Sequence, residues 1–137
     1  MEQRVIYTLG YGTASSAAVV ADLAIRHQAV VVDTRLSARS RNPIWSRGAL
    51  QRALGDRYVY AGDALGNLNY KNGGPIAIAD MAAGADRVSA LLHDPRGGHD
   101  IILLCVCAAL EHCHRTVVAA TLAAQLGAAI VHLRGDK

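Results

Sequence analysis

Aromatic residues are scarce in this chain, which holds five Tyr, one Trp and no Phe. Proteins that bind single-stranded nucleic acids without sequence preference stack the bases on aromatic side chains. The scarcity therefore argues against a base-stacking platform. Binding to a nucleic-acid backbone needs basic rather than aromatic side chains, so that mode stays open.

Long apolar runs are missing too, although apolar residues make up 52% of the chain. A membrane helix needs roughly twenty consecutive apolar residues, so no membrane partner is expected. The start, Met1-Glu2-Gln3-Arg4, lacks the charged-then-apolar layout of a signal peptide, and we expect a cytoplasmic protein. Without an export signal, the three cysteines are expected to be thiols rather than a disulfide framework.

Lysine is rare, because only Lys71 and Lys137 are lysines and the other twelve basic residues are arginine. Guanidinium groups suit bidentate contacts with phosphate or carboxylate. A bias of the genome toward arginine, with these side chains on a solvent-exposed face, explains the pattern equally well. Six of the arginines fall within 23 positions that contain Asp56 as their only acid: Arg35, Arg39, Arg41, Arg47, Arg52 and Arg57.

Apolar, β-branched runs alternate along the chain with segments of helical spacing. This alternation predicts a single α/β domain over residues 1–137, with a mainly parallel five-stranded sheet and helices on both faces, a Rossmann-like three-layer arrangement. Helices are expected from Ser15 or Ser16 to Ile25, from Ser46 to Leu54, over Ile76 to His93, and from Cys113 to Gly127. The expected strands are Arg4 to Leu9, Ala29 to Asp33, Tyr58 to Tyr60, Ile101 to Leu104 and Ala128 to Leu133.

Three connections between these elements attract attention. Gly10-Tyr11-Gly12 follows a strand and precedes a helix, as phosphate-binding turns do, but Ser15 stands where the third glycine of that motif belongs. A tight turn that needs glycine explains it better. The polar segment Ser37 to Ser46 is long for a compact domain, and such loops often bind ligands. Gly62 to Pro75, rich in Gly and Asn, is expected to be loop.

The fourth strand and the helix that follows it carry all three cysteines. Ile101 to Leu104 is continuously apolar, as a strand buried on both faces is. Cys105 is then expected at the end of that strand, and Cys113-His114-Arg115 at the start of the helix. Ligands of open α/β sheets bind outside the carboxyl ends of the strands, and helix N-termini attract anions. The sequence thus predicts a binding crevice here.

Three explanations of the cysteines and histidines compete. A cysteine at a helix start beside an arginine is readily ionised, which makes Cys113 the candidate nucleophile and His112 or His114 its base. Cys105, Cys107, Cys113 and His114 can in principle ligate a metal, although their spacing is not a common zinc pattern and we assign no metal. The third explanation is that buried cysteines simply fill the core.

Arginines at strand ends and helix starts need charged partners. One possibility is an ion pair between Asp33 and either Arg35 or Arg115. The other is an anion site built by Arg35, Arg39 and Arg115 with helix N–H groups, and phosphate is the anion such sites most often bind. Asp33 would then orient an arginine or act as acid or base.

The same residues resemble those of the domain of unknown function 488 family over nearly the whole chain. The resemblance implies a compact cytoplasmic α/β domain and supplies no substrate. Cys107 is an extra thiol relative to the family, and Ala108 or Ala109 stands where the family has an acidic residue. The motifs that carry it are Tyr7 to Gly12, Val32 to Arg35, Arg39-Ser40-Arg41, Leu65-Gly66, Leu104-Cys105 and, most specifically, Cys113-His114-Arg115.

The sequence therefore favours a protein that binds a phosphorylated ligand, a nucleotide or nucleic acid, in a crevice lined by arginine and cysteine, with thiol-dependent chemistry. The rival hypothesis is a non-catalytic nucleic-acid-binding module that uses the Arg35–Arg57 segment. No cofactor is indicated. Candidate catalytic residues are Cys113, Asp33 and His114, and candidate ligand-binding residues are Gly10, Tyr11, Arg35, Arg39, Arg41, Cys105 and Arg115.

Overall fold

The fold is built on one parallel sheet. The computed structural model of the protein describes residues 3–37, 42–70, 74–94, 99–106 and 113–137. All pairings between the strands are parallel, and the strand order is β3-β2-β4-β1-β5. The strands are β1 (Val5–Gly10), β2 (Ala29–Asp33), β3 (Tyr58–Tyr60), β4 (Asp100–Cys105) and β5 (Ala129–His132).

Strand β4 lies in the middle of the sheet, between β2 and β1. Its apolar residues are fully buried because helices cover both faces, and this explains why the sequence shows an unbroken apolar run there. The pairing register sets Leu104 of β4 beside Asp33 of β2 and beside Leu9 of β1. The expectation of a parallel sheet with a central Ile101–Leu104 strand is confirmed.

Two apolar cores, one on each face, hold the helices to the sheet. The first contains Val31 of β2 and Leu104 of β4 and packs against α1 and α2. The second contains Val32 and Leu103 and packs against α3, α4 and α5. The helices are α1 (Ala17–Arg26), α2 (Arg47–Leu54), α3 (Gly62–Leu65), α4 (Met81–Leu92) and α5 (His114–Leu126).

Side-chain caps and glycines fix several helix ends. The Ser46 hydroxyl accepts a hydrogen bond from the Ala49 N–H and caps α2, as its position predicts. Helix α5 ends at Gly127, which adopts a left-handed conformation with φ of 69°. The cap expected at Ser15 or Ser16 is wrong in detail. Ser16 precedes α1 without a side-chain cap, and Ser15 instead bonds Asp136 in the C-terminal tail.

The helix expected over Ile76 to His93 begins later, at Met81. The Asp80 carboxylate caps it by accepting a hydrogen bond from the Ala83 N–H, and Ile78 forms an isolated bridge to Asn67. The expectation that Gly62 to Pro75 is entirely loop is also wrong, because Gly62–Leu65 is a short helix. The first and last strands differ from expectation by one residue at their ends.

None of the helices in the described ranges is both long and apolar enough to cross a membrane.

Candidate functional site

Two polar clusters lie at the carboxyl edge of the sheet, on opposite faces. Side chains alternate along a strand, so Asp33 shares the face of Val31, and Cys105 shares the face of Leu103. We call the first group the arginine cluster; it comprises Asp33, Arg35, Trp45, Tyr58 and Tyr11. We call the second the thiol cluster; it comprises Cys105, Cys113, His114 and Arg115.

An ion pair forms the centre of the arginine cluster. The Arg35 Nε donates to Asp33 Oδ1 at 2.9 Å, and its Nη2 donates to Oδ2 at 2.7 Å. Its Nη1 donates to the Trp45 carbonyl at 2.6 Å, and the Tyr58 hydroxyl donates to Asp33 Oδ2 at 2.6 Å. Each nitrogen of the guanidinium thus has a partner within the protein.

This network is buried, since Arg35 is 6% exposed and Asp33 fully covered. Burial opposes the charge of Arg35, but the hydrogen bonds and charge of Asp33 outweigh it and raise the pKa of Arg35 above its ordinary value. Burial, and then the hydrogen bond to Asp33, raise the pKa of Tyr58. The tyrosine is therefore a hydrogen-bond donor at all physiological pH values.

Two stacked aromatic rings belong to the arginine cluster. Tyr11 stacks on Trp45 with ring centroids 4.6 Å apart, and the Arg35 guanidinium lies 5.3 Å from the Tyr11 centroid. Tyr11 belongs to a short 3₁₀ turn in which the Thr13 hydroxyl donates to the Gly10 carbonyl. The Gly10-Tyr11-Gly12 segment is thus a tight turn whose tyrosine is buried in the core.

In the thiol cluster, the end of a strand meets the start of a helix. Cys105 is the last residue of β4, and Cys113 is the N-cap of α5. Both side chains are 1% exposed, as is Arg115. A thiol at the end of an apolar strand is expected to be more shielded than one at a helix start, but this expectation is wrong here, because both are equally buried.

The functional atoms of the thiol cluster are close together. The two sulfur atoms and a ring nitrogen of His114 lie within 4.8 Å of one another. The Arg115 Nη1 donates to Cys105 Sγ at 3.2 Å. Burial opposes the charge of Arg115, but the sulfurs of Cys105 and then Cys113 outweigh it, so the pKa of Arg115 is raised. The guanidinium therefore stays charged and favours a thiolate beside it.

His114 connects the thiol cluster to the end of β2. Its Nε2 lies 3.0 Å from the Thr34 carbonyl oxygen. A carbonyl oxygen can only accept, so this contact places the proton on Nε2 and leaves Nδ1 with the lone pair in the neutral ring. The ring is half-buried, which makes His114 the member of the thiol cluster with access to solvent.

Cys105, Cys113 and His114 are also the group in the described ranges that has metal-ligand chemistry and spacing. A histidine that donates one ring N–H to a carbonyl is typical of metal sites. The fixed positive charge of Arg115, 3.2 Å from one of the sulfurs, opposes a divalent cation there. The electrostatics therefore favour a thiolate paired with arginine over a metal centre.

The arrangement does not favour the anion site that the sequence predicts from Arg35 and Arg115 together. The two guanidinium groups lie on opposite faces of the sheet, and Arg35 is held by Asp33 and Trp45. The alternative expectation, an ion pair of Asp33 with Arg35, is confirmed. Asp33 thus orients an arginine, which is the first of the two roles expected for it.

Sequence reasoning missed Tyr58 and Thr34. Tyr58 was assigned only to a short strand, and its hydroxyl reaches Asp33 because β3 pairs with β2 in the register Val31 to Tyr58. The available signal was the tyrosine in β3, a residue with a hydroxyl that can donate to the acid at the end of the neighbouring strand β2. Nothing in the sequence marks the Thr34 carbonyl as a partner of His114.

Three further arginines of the basic segment lie within the described ranges. Arg47 is exposed and lies over the Tyr60 ring at 4.7 Å, and Arg57 donates to the Ala29 carbonyl. Arg52 is exposed on α2. Candidate residues Arg39 and Arg41, together with Cys107 and His112, lie outside the described residues.

Comparisons of the chain with protein-family models, with curated proteins and with solved structures found no match. The resemblance to the domain of unknown function 488 family therefore stays a prediction.

Proposed function

We propose that this protein is a thiol-dependent enzyme that binds a small phosphorylated ligand at the carboxyl edge of its sheet and uses a thiolate of the thiol cluster as its reactive group. The observation that carries the proposal is the contact between the buried Arg115 guanidinium and the Cys105 sulfur, with Cys113 and His114 within 4.8 Å. A guanidinium beside a sulfur atom favours the ionised form of that sulfur, and Arg115 makes this contact with Cys105.

Cys113 is the nucleophile in this proposal. It stands at the start of a helix of 13 residues, where the helix dipole favours a negative charge in addition to the Arg115 guanidinium. His114 accepts or returns the proton, since its ring reaches both the thiols and solvent. Cys105 shares the charge of Arg115 and fixes the guanidinium by accepting its Nη1 hydrogen bond.

The start of α5 also supports an anionic ligand. Its first turn contains no acidic residue and contributes His114 and Arg115. N–H groups and partial positive charge at such a position favour phosphate. Thiol chemistry of this kind needs a reducing compartment, and a cytoplasmic location is part of the proposal. The nucleic-acid alternative has less support, because Arg35 is buried in its ion pair with Asp33 and Arg47 lies over the Tyr60 ring.

A thiolate titration tests the reactive group. In a Cys107→Ser background, ultraviolet absorbance of the thiolate is followed against pH for the wild-type cluster and for Arg115→Lys and Arg115→Gln. We expect one thiolate to form well below the ordinary thiol pKa of about 8.5, and Arg115→Gln to move the transition to higher pH. Arg87→Gln, which removes an exposed arginine from its pair with Asp63, is the control and should change nothing.

Two results would contradict the proposal. One is that the wild-type thiols titrate with the ordinary thiol pKa. The other is that Arg115→Gln, shown by circular dichroism to be folded, titrates as the wild type does. The ligand is tested separately with inorganic phosphate and a nucleoside monophosphate. Each should slow alkylation of Cys113 by a small reagent, and equal rates with and without them would remove the phosphorylated ligand from the proposal.

A further inference from the structure

The thiol cluster contains two buried thiols beside one guanidinium, whereas an enzyme with a single nucleophile needs one reactive thiol. The sulfur atoms of Cys105 and Cys113 lie within 4.8 Å of each other, and both cysteines are reduced. A nucleophilic enzyme that acts through Cys113 does not require Cys105 to be cysteine. Chemistry that involves two thiols in turn does require it.

We infer that Cys105 and Cys113 form a reversible disulfide when the protein reacts with a hydroperoxide, so that the thiol cluster is a two-cysteine peroxide-reactive site. The inference rests on the thiolate of the proposed function and is independent of the phosphorylated ligand. It adds a substrate class, hydroperoxides, and gives Cys105 a role as the second, resolving thiol.

In the first step, the Cys113 thiolate attacks the terminal oxygen of the hydroperoxide. An S–O bond forms and the O–O bond breaks, so the sulfur becomes a sulfenic acid and the alkoxide or hydroxide that leaves takes a proton from His114 or water. Arg115 interacts with the sulfurs of both Cys105 and Cys113, so its positive charge stabilises the Cys113 thiolate and the negative charge that develops on the leaving oxygen.

In the second step, the Cys105 sulfur attacks the oxidised sulfur of Cys113. An S–S bond forms, the S–O bond breaks, and the hydroxide that leaves combines with the proton of the Cys105 thiol to give water. In total, two thiols and one hydroperoxide give one disulfide, one alcohol or water from the leaving group, and one water. A disulfide needs an S–S distance of about 2 Å, and a change of χ1 at either cysteine can shorten the separation.

Burial selects the oxidant class. Both sulfurs are 1% exposed, and attack on a disulfide reagent needs three sulfur atoms in line at an accessible position. Hydrogen peroxide is close to water in size and is neutral, so it can reach a thiolate that a bulky disulfide cannot. The half-buried ring of His114 marks the side from which the cluster meets solvent.

Peptide mapping of the full chain tests the inference. Cys107 is first replaced by Ser, since it lies between the two cysteines in sequence and is itself a thiol. The protein is treated with one equivalent of hydrogen peroxide, blocked with N-ethylmaleimide in denaturant, and cut after Glu111, which separates Cys105 from Cys113. Trypsin alone is unsuitable, because its peptide from Gly97 to Arg115 contains all the cysteines.

We expect a Cys105–Cys113 cross-linked peptide pair that dithiothreitol removes. In Cys105→Ser the cross-link is lost, and a sulfenic acid that dimedone traps should accumulate on Cys113. Arg115→Lys should lower the rate of peroxide reaction by roughly tenfold, because it keeps the charge and loses the fork that contacts the sulfur. Arg87→Gln is the matched control and should react at the wild-type rate.

Two outcomes would overturn the inference. The first is consumption of peroxide without formation of the cross-link. Peptide mapping would then find each cysteine either still a thiol or oxidised on its own beyond the sulfenic acid. The second is stoichiometric zinc in the purified protein, since ligated thiolates would be a metal site instead. A thiolate that titrates at low pH without any cross-link would remove the inference and leave the proposed function standing, so the two failures are distinguishable.

Discussion

Arg35 and Asp33 form a bidentate ion pair at the end of β2, with both donor–acceptor distances below 3 Å and both side chains buried. The Tyr58 hydroxyl and the Arg35 backbone N–H also donate to the same carboxylate. The pair therefore joins β2 and β3 to the segment that carries Trp45, whose carbonyl accepts from Arg35. The guanidinium nitrogens of Arg35 thus bond within the protein, and the thiol cluster lies on the other face of the sheet.

Replacing the acid of this pair should be costly. We predict that Asp33→Asn lowers the free energy of unfolding by about 3–5 kcal/mol, because it leaves the Arg35 charge buried without a counter-ion. Urea denaturation measures the change. Asp63→Asn removes an acid of the same type from an exposed pair with Arg87 and should have little effect. Equal losses in the two variants would show that burial does not matter here.

Tyr58 should make stability depend on alkaline pH. Burial and the Asp33 hydrogen bond raise its pKa in the native protein, whereas the unfolded chain ionises it at about 10. Its contribution is therefore complete below about pH 10 and is lost as pH rises above that value.

Tyr58→Phe should be about 1 kcal/mol less stable than wild type near neutral pH, since one buried hydrogen bond is lost. The gap between the two proteins should then narrow above about pH 10. Tyr7 and Tyr60, whose pKa values are also raised, are present in both proteins and cancel in the comparison. Urea denaturation at several pH values measures the gap, and a gap that stays constant would contradict the assignment.

Gly84 lets α4 pack closely on α3. A Cβ atom at this position would lie 2.1 Å from Leu65 Cδ2, and Leu65 is fully buried. We predict that Gly84→Ala destabilises the protein by roughly 1–3 kcal/mol, despite the better helix propensity of alanine. Gly48→Ala in α2 meets only the end of the Arg52 side chain and should be neutral or stabilising by up to about 1 kcal/mol. Thermal unfolding compares the two variants, and a stabilised Gly84→Ala would contradict the packing.

The sheet could be predicted from the sequence because its central strands are buried on both faces. Ala29 to Val32 and Ile101 to Leu104 are continuous apolar runs, and burial on both sides is what their composition requires. The start of α4 could not be predicted, because Ile76 to Asp80 has the same apolar content as a helix. Its extended form depends on the bridge between Asn67 and Ile78, which is a tertiary contact.

The sequence predicts that the candidate residues lie at the carboxyl edge of the sheet, and the described ones do lie there, but their division into two clusters was not predicted. Asp33 and Cys105 each end a strand, yet Asp33 pairs with Leu104 rather than with Cys105. This offset of one residue sends the two side chains to opposite faces. Register is set by the packing of the whole sheet, so no local pattern at either strand end contains it.

The arginines of the basic segment allow a direct test of the nucleic-acid hypothesis. A protein that binds a nucleic-acid backbone through several arginines loses affinity steeply as salt rises, with a slope of about −0.9 per phosphate neutralised on duplex DNA. In the described part of the basic segment, Arg35 is paired with Asp33, and Arg47 lies over Tyr60. We therefore predict no salt-dependent binding of duplex DNA or single-stranded RNA by fluorescence anisotropy at physiological ionic strength.

The double variant Arg47→Gln, Arg52→Gln should behave as the wild type does. Tight binding whose affinity falls steeply with salt, and less steeply in this variant, would instead support the nucleic-acid module. If bound RNA then left the thiolate titration unchanged, the nucleic-acid-binding surface would be separate from the thiol cluster.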